Sequence, residues 1–212
     1  MKHLSSHPRT GLIAIVITAC VLAVGYALPQ WQFLTAVALS KGLVALGLVL
    51  LLRSGLVSFG QGLYYCAGAY AVGMAMTYLQ WRDLLLLLTT ATLLSALLAW
   101  LLGFLLARYR DIFFAMLSLA LSMILYGLLI RNPVLGGSDG FNVHAPSFLG
   151  DLGGQLSRPT LFFITAAVAG VAVWAFQRYL QTRTGKLGPA IKDNEIRVEY
   201  LGASARRNIH IN

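Results

Sequence analysis

Residues 84–106 read LLLLLTTATLLSALLAWLLGFLL, bounded by Arg82-Asp83 on one side and Arg108-Tyr109-Arg110 on the other. No side chain in the run is charged, and a helix needs only about 20 mostly apolar residues to cross a bilayer. Ala91, Ser95, Ala99, Gly103 and Ala107 recur at every fourth position, which puts small residues on one stripe where a second helix can approach closely. A transmembrane β-barrel would alternate apolar and polar residues in segments of about ten. The continuous apolar runs 84–88 and 48–52 exclude it.

The rest of the chain repeats this pattern. Of 212 residues 58% are hydrophobic and 11% charged, against roughly 45–50% and about 25% in a soluble domain. Sixteen basic and seven acidic residues are too few to solvate the surface of a globule unless lipid covers most of it. Apolar segments at 11–28, 33–52, 56–79, 84–106, 112–130 and 160–179 predict an all-α, polytopic integral membrane protein with about six transmembrane helices. No Pro/Ser-rich or low-complexity stretch divides the chain, so residues 1–212 are expected to form a single domain. No small-x-small cleavage signal precedes Pro29, and the first apolar run is expected to stay as a helix. Cys20 and Cys66 lie in apolar runs with no ligand at metal-binding spacing, and no metal or other cofactor is expected.

The net charge of +9 could signal nucleic acid, but the basic residues fall between the apolar runs. With the N-terminus cytoplasmic, six crossings place Lys2, Arg9, Arg53, Arg108, Arg110, Arg178, Arg183, Lys186, Lys192, Arg197, Arg206 and Arg207 on one side. Arg82, Arg131 and Arg158 remain outside, and Lys41 lies within a span. That asymmetry is the positive-inside pattern of a membrane protein. It leaves no nucleic-acid surface to explain.

Three places inside or beside the spans hold polar groups that could line a path. Lys41 stands near the middle of the second span, where an ammonium costs roughly 2.5–3.5 kcal/mol on insertion scales; it either lines a polar interior or snorkels to the interface. The run Arg53-Ser54-Gly55-Leu56-Val57-Ser58-Phe59-Gly60-Gln61-Gly62 is a poor helix start. It reads as a simple turn or as a broken helix end exposing Ser58, Gly60 and Gln61 to a path, as transporters use near the membrane midplane. Between the fifth and sixth spans, Gly136-Gly137-Ser138-Asp139-Gly140 is a tight turn, with Gly137, Ser138 and Asp139 as candidates for the outer mouth. It also matches Gly-x-Ser-x-Gly, so an intramembrane hydrolase using Ser138 with His144 is an alternative, although that motif requires a strand before it and a helix after it.

A further amphipathic segment follows the last span. Pro189 suits a first helical position and Gly202 the position past a helix end, which predicts a short cytoplasmic helix over 189–201. Leu187, Ile191, Val198 and Leu201 form its apolar stripe. Lying on lipid and docking into a partner's groove are both open to such a helix. The mixed signs of Lys192, Asp193, Glu195, Arg197 and Glu199 favour the partner.

In order and spacing, Gly42–Leu48 leading into Gly55–Gln61 and Gly68-Ala69-Tyr70, then Phe114–Ala120, Gly136–Gly140, Gly185-Lys186, Ala190–Glu195 and Tyr200-Leu201-Gly202 resemble the LivM-type permeases of branched-chain amino acid ABC transporters. The resemblance implies an importer for branched-chain or related hydrophobic amino acids in the plasma membrane of a prokaryote. It implies as partners a second, LivH-like permease, two cytoplasmic ABC ATPase subunits and an extracytoplasmic binding protein. ATP hydrolysis would then belong to the partners, and this chain would be no enzyme. The 189–201 segment becomes the coupling helix, with Gly185, Ala190, Ile191, Asn194, Glu195, Leu201 and Gly202 matching the ATPase-contacting loop. Relatives carry arginine where Lys186 and Lys192 stand and continue with further spans, so a truncated permease with a polar tail at 203–212 is expected. A permease of this architecture for urea or short amides would fit the same residues, as would a non-transporting membrane scaffold.

Overall fold

The computed structural model describes residues 23, 25–137, 140–148 and 156–211. Nearly all of the predicted first span, together with Lys2, Arg9, Cys20, Ser138 and Asp139, lies outside the described residues. The helices are α1 (Gln32–Arg53), α2 (Gln61–Tyr78), α3 (Leu84–Leu106), α4 (Asp111–Arg131), α5 (Arg158–Gln181), α6 (Arg183–Asp193), α7 (Glu195–Tyr200) and α8 (Ala205–Ile211). Short 3-10 turns precede α1 and follow α4. The chain falls into two compact units, Met1–Leu46 with Ser157–Lys186 and Gly47–Leu156 with Leu187–Asn212.

Four stretches among the described residues are long and apolar enough to cross a membrane: Pro29–Arg53, Leu84–Leu106, Ile112–Arg131 and Arg158–Gln181. Only 6–17% of each apolar window is buried within the chain. Surfaces of that kind are stable only against lipid or another apolar protein face. The predicted third span, 56–79, is different: its helix is confined to Gln61–Tyr78, and Gln61 with its tyrosines lowers its apolarity. It is also well buried within its unit, through Leu63, Ala67, Ala71, Gly73 and Ala75.

In the first unit α5 buries Phe162, Ala166 and Ala169. The Phe162 ring fills the place a Cβ on Gly25 would take, and Gln32 Nε2 donates to the Gly25 carbonyl at 3.0 Å.

In the second unit α2, α3 and α4 run between the same two ends. At one end, Ser147 N donates to the Arg82 carbonyl at 2.8 Å and Leu84 N to the Ser147 carbonyl at 3.0 Å, joining the α2–α3 connection to the loop after α4. Tyr78 Oη donates to the Val134 carbonyl there too. At the other end, Leu51, Leu56, Leu106, Ala107, Phe114, Ile191, Val198, Ala205 and Ile209 form a buried apolar cluster. Between the ends, Ser95 Oγ of the α3 small-residue stripe donates to the Tyr64 carbonyl at 3.3 Å, and a Cβ on Gly68 would stand 2.9 Å from that oxygen. Close approach of α2 and α3 therefore depends on small residues on both helices.

Residues 54–60 leave α1 through a turn in which Ser54 N, Gly55 N and Leu56 N donate back to the Leu51 and Leu52 carbonyls. Gly55 turns the chain at φ 79°, Phe59 N donates to Ser118 Oγ at 3.1 Å and Gly60 N to Ser58 Oγ at 3.2 Å. Ser118 is 1% exposed. The break predicted from Gly and Ser content is thus a defined loop held by α4.

The segment after α5 departs from the sequence expectation. In place of one helix over 189–201, α6 starts at Arg183 and ends at Asp193, with Pro189 inside it. Thr182 explains the early start, since its Oγ1 accepts from Gly185 N at 3.3 Å and its carbonyl from Lys186 N at 3.1 Å. Asn194 supplies the break: it is extended at φ −164°, ψ 99°, and its side chain accepts from Arg197 N to cap α7. Gly202 closes α7 at φ 83°, as a residue just past a helix end does. The tail expected to be polar is instead the helix α8, capped by Ser204 and burying Ala205, Asn208 and Ile209 on one face.

Candidate functional site

At the end of the second unit where α6, α7 and α8 gather, a cavity of about 560 Å³ opens between the helices. Its walls come from Gly47 and Leu51 of α1, Ser58 of the loop, Gln61 and Tyr64 of α2, Ala96, Ala99, Trp100, Gly103 and Leu106 of α3, then Ala107, Phe114, Ile209 and His210. Most of this lining is apolar; Ser58, Gln61, Tyr64 and His210 bring the polar side-chain groups. None of the lining residues carries an obligatory charge.

Each polar group has a structural reason for its place. Ser58 sits in the loop fixed by Ser118. Gln61 is the first residue of α2, and its Oε1 faces Gly47, where a Cβ would stand 3.1 Å away. Tyr64 follows one turn later on the same face. His210 arrives on α8, its ring edge-to-face with Phe104 at 6.3 Å and its Nδ1 buried without a hydrogen-bond partner. Arg108 and Arg206 lie over the same Phe104 ring, at 5.2 and 5.9 Å, and hold the α8 side of the cavity against α3.

Of the path candidates read from the sequence, the structure brings Ser58 and Gln61 together in this cavity. Gly60 shapes the loop beside it, a Cβ there standing 3.3 Å from Ser118 Cβ. Lys41 is exposed on α1 and does not line the cavity. Gly137 belongs to a turn at the opposite end of the second unit, where Gly137 N donates to the Asn132 carbonyl at 3.2 Å and Gly140 N to the Gly136 carbonyl at 3.0 Å. A 3-10 turn, Pro133–Leu135, stands before Gly136, and the described residues 140–148 after it are not helical. The strand-turn-helix of a hydrolase elbow is not formed by the described residues there. Sequence reading missed Tyr64, Trp100 and His210 as lining residues; the Ala205/Asn208/Ile209 spacing was the available signal for α8.

The proposed coupling residues divide sharply. Gly185 is buried in the first turn of α6, where a Cβ would collide with the Tyr179 carbonyl. Ile191, at 5% exposure, and Val198, also at 5%, pack into the apolar cluster of their own unit. The apolar stripe expected to fill a partner's groove is therefore largely spent inside the chain. Glu195 is engaged too: Arg110 Nε donates to both its carboxylate oxygens at 3.1 Å and Arg110 Nη2 to one of them at 2.8 Å. Ala190, Asn194, Leu201 and Gly202 are exposed. Beside them Ile196, Tyr200 and Leu201 stand 68%, 88% and 81% exposed.

α6 rests on the turn that leads to the cavity. A Cβ on Gly188 would lie 2.9 Å from Ser54 Oγ, and one on Gly55 would lie 3.1 Å from Lys192 Cγ. One glycine on each partner, Gly188 and Gly55, lets α6 lie close on residues 53–55, three residues before Ser58.

Four apolar helices of membrane-crossing length among the described residues define a multi-pass helical membrane protein. A larger groove, about 660 Å³ beside Tyr78, Trp81, Leu93 and Val134, is almost wholly apolar and offers little to orient a polar solute. The chain belongs to the family of permease components of branched-chain amino acid transport systems, whose profile matches residues 31–209. No curated protein and no solved structure matches it significantly. The family is a transport family, not a class of enzymes.

Proposed function

We propose that the chain is a permease subunit of an ATP-driven importer for branched-chain or related apolar amino acids in a prokaryotic plasma membrane. Beyond the family match, the observation that carries this reading is the seat of α6 on residues 53–55. A push delivered to α6 from the cytoplasm reaches Ser58 and the cavity through a short rigid path. The partners are a second, LivH-like permease, two ATPase subunits and an extracytoplasmic binding protein. The ATPase-facing surface is the exposed edge of α7, Ile196, Tyr200 and Leu201, flanked by Ala190, Asn194 and Gly202. Ile191, Val198 and Glu195 transmit motion within the chain.

Six spans with a cytoplasmic N-terminus remain the topology this reading uses. It is supported by the charge asymmetry and by α2, which connects the same two ends as α3 and α4. On α1, Ala38, Lys41, Gly42 and Ala45 are exposed, and a Cβ on Gly42 would meet no atom within 4 Å. That face suits close packing by the second permease, with a carbonyl or carboxylate on the partner meeting Lys41.

Uptake into vesicles containing the assembled transporter tests the reading. Labelled leucine should accumulate only with ATP, and isoleucine and valine should compete with it while urea and acetamide do not. Competition by urea with none by isoleucine would assign the chain to amide transport instead.

A further inference from the structure

We propose that α3 and α8 together form a site for one anionic phospholipid, its phosphate held between Arg108 and Arg206 at the Phe104 ring and one acyl chain lying along α3. The proposal goes beyond the import reading and needs only that the chain spans a membrane. Arg108 and Arg206 come from distant segments, and their guanidinium carbons stand 5.2 and 5.9 Å from the centroid of the same ring. A single cation over an aromatic face is a common contact. Two share a ring only against their mutual repulsion, which strengthens where protein and lipid exclude water. Among the described residues no carboxylate forms an ion pair with either of them, Glu195 being taken by Arg110. Both arginines are exposed. A phosphodiester between them would offset the repulsion, because guanidinium donors fit phosphate oxygens in pairs.

The helix surface leading to the ring supplies the other half of a lipid. Leu93, Leu97, Trp100 and Phe104 fall on one stripe of α3 at helical spacing, and Arg108 continues that stripe one turn further on. These four apolar side chains are 70%, 54%, 62% and 58% exposed. From Leu93 to Phe104 the stripe runs about 16 Å at 1.5 Å per residue, close to the depth of one leaflet in a hydrocarbon core of roughly 30 Å. The paired charges therefore cap an apolar track of acyl-chain length. Tyr109, exposed beside Arg108, is the kind of amphipathic ring that sits at headgroup depth. The track is what favours a lipid over free phosphate, which would use the arginines and leave the apolar stripe bare. Because Arg206 belongs to α8, the bound headgroup also fastens α8 to the end of α3.

Quenching of Trp100 tests the site, in the full chain carrying Trp31→Phe, Trp81→Phe and Trp174→Phe and reconstituted in phosphatidylcholine nanodiscs with a minor fraction of brominated lipid. Bromines on a chain held along the stripe lie near Trp100. Brominated phosphatidylglycerol should therefore quench its emission more strongly than the same fraction of brominated phosphatidylcholine. Arg108→Gln and Arg206→Gln should each lower that preference about fivefold, and Arg206→Lys, which keeps the charge without the fork, should retain part of it. Arg207→Gln, at an exposed position of α8 with no place over the ring, should leave the preference nearly unchanged. Thermal unfolding in phosphatidylcholine alone shows that each variant keeps its fold, and Phe104→Leu, which removes the ring and no charge, should weaken the preference independently. Equal quenching by the two lipids would overturn the proposal. So would a loss with Arg207→Gln as large as with Arg206→Gln, which would leave only the diffuse attraction of a basic end. Displacement of phosphatidylglycerol by millimolar inorganic phosphate would assign the arginines to a soluble anion. Loss of the second permease from co-purification with Arg108→Gln and Arg206→Gln would assign them to a protein partner, and either result overturns the lipid site. ATP-driven uptake is a separate measurement, so failure of the import reading and failure of this site are distinguishable.

Discussion

Arg110 and Glu195 are 85 positions apart in sequence and form a forked ion pair, their side chains 28% and 33% exposed. A partly exposed pair of this kind contributes on the order of 1 kcal/mol to stability. Its position explains more: it pins the start of α7 to the α3–α4 connection, whose Ala107 carbonyl accepts from Arg110 Nη1 at 2.7 Å. Glu195→Gln is therefore expected to leave insertion and thermal stability nearly unchanged and to lower substrate-stimulated ATP hydrolysis by the assembled transporter. The exchange Arg110→Glu with Glu195→Arg should recover part of it. If Glu195 met the ATPase directly, the exchange would restore nothing. Sequence alone placed Glu195 on an amphipathic helix but could not find Arg110, because a pairing between distant segments leaves no periodic trace.

At the scale of elements, what sequence revealed and what it hid follow from how local each cause is. Spans α3, α4 and α5 were readable because apolar length is a property of the segment itself, and the break before Gln61 because Gly and Ser cluster there. The division of 183–200 into two helices was hidden: Pro189 looked like a helix start, while the cap at Thr182 and the break at Asn194 depend on side-chain bonds to the backbone. The cavity was half readable, through Ser58 and Gln61, and His210 was not, because α8 acquires its meaning from packing. Two glycines separate local from tertiary causes. Gly55 has φ 79° with Lys192 Cγ in its path, so Gly55→Ala should destabilise the chain by at least about 1–2 kcal/mol and shift α6, as thermal unfolding and cross-linking between positions 54 and 188 would record. Gly42, in open space on a helix, should accept Ala with a gain of up to about 1 kcal/mol in the isolated chain, yet weaken its association with the second permease if that face is the interface. Unfolding of the chain alone and co-purification of the partner measure the two effects.

At the scale of the whole chain, the apolar helices and the net charge of +9 suit the proposed topology, which sets most of the basic connections on the cytoplasmic side. A reporter fused after Asn142 is expected to be extracytoplasmic and one after Lys192 cytoplasmic; the reverse at either site would overturn the six-span topology. The central claim is mechanical. α6 bears on residues 53–55, and on the proposed reading a partner's nucleotide-driven movement passes through them to the cavity. Gly188→Ala inserts a methyl group at the 2.9 Å contact with Ser54 Oγ and leaves the exposed face of α7 unchanged. The direct test is the ratio of leucine transported to ATP hydrolysed by this variant, reconstituted with its partners. The account predicts a fall of about fivefold or more with the ATPase subunits still bound; a ratio equal to that of the unaltered protein would contradict it.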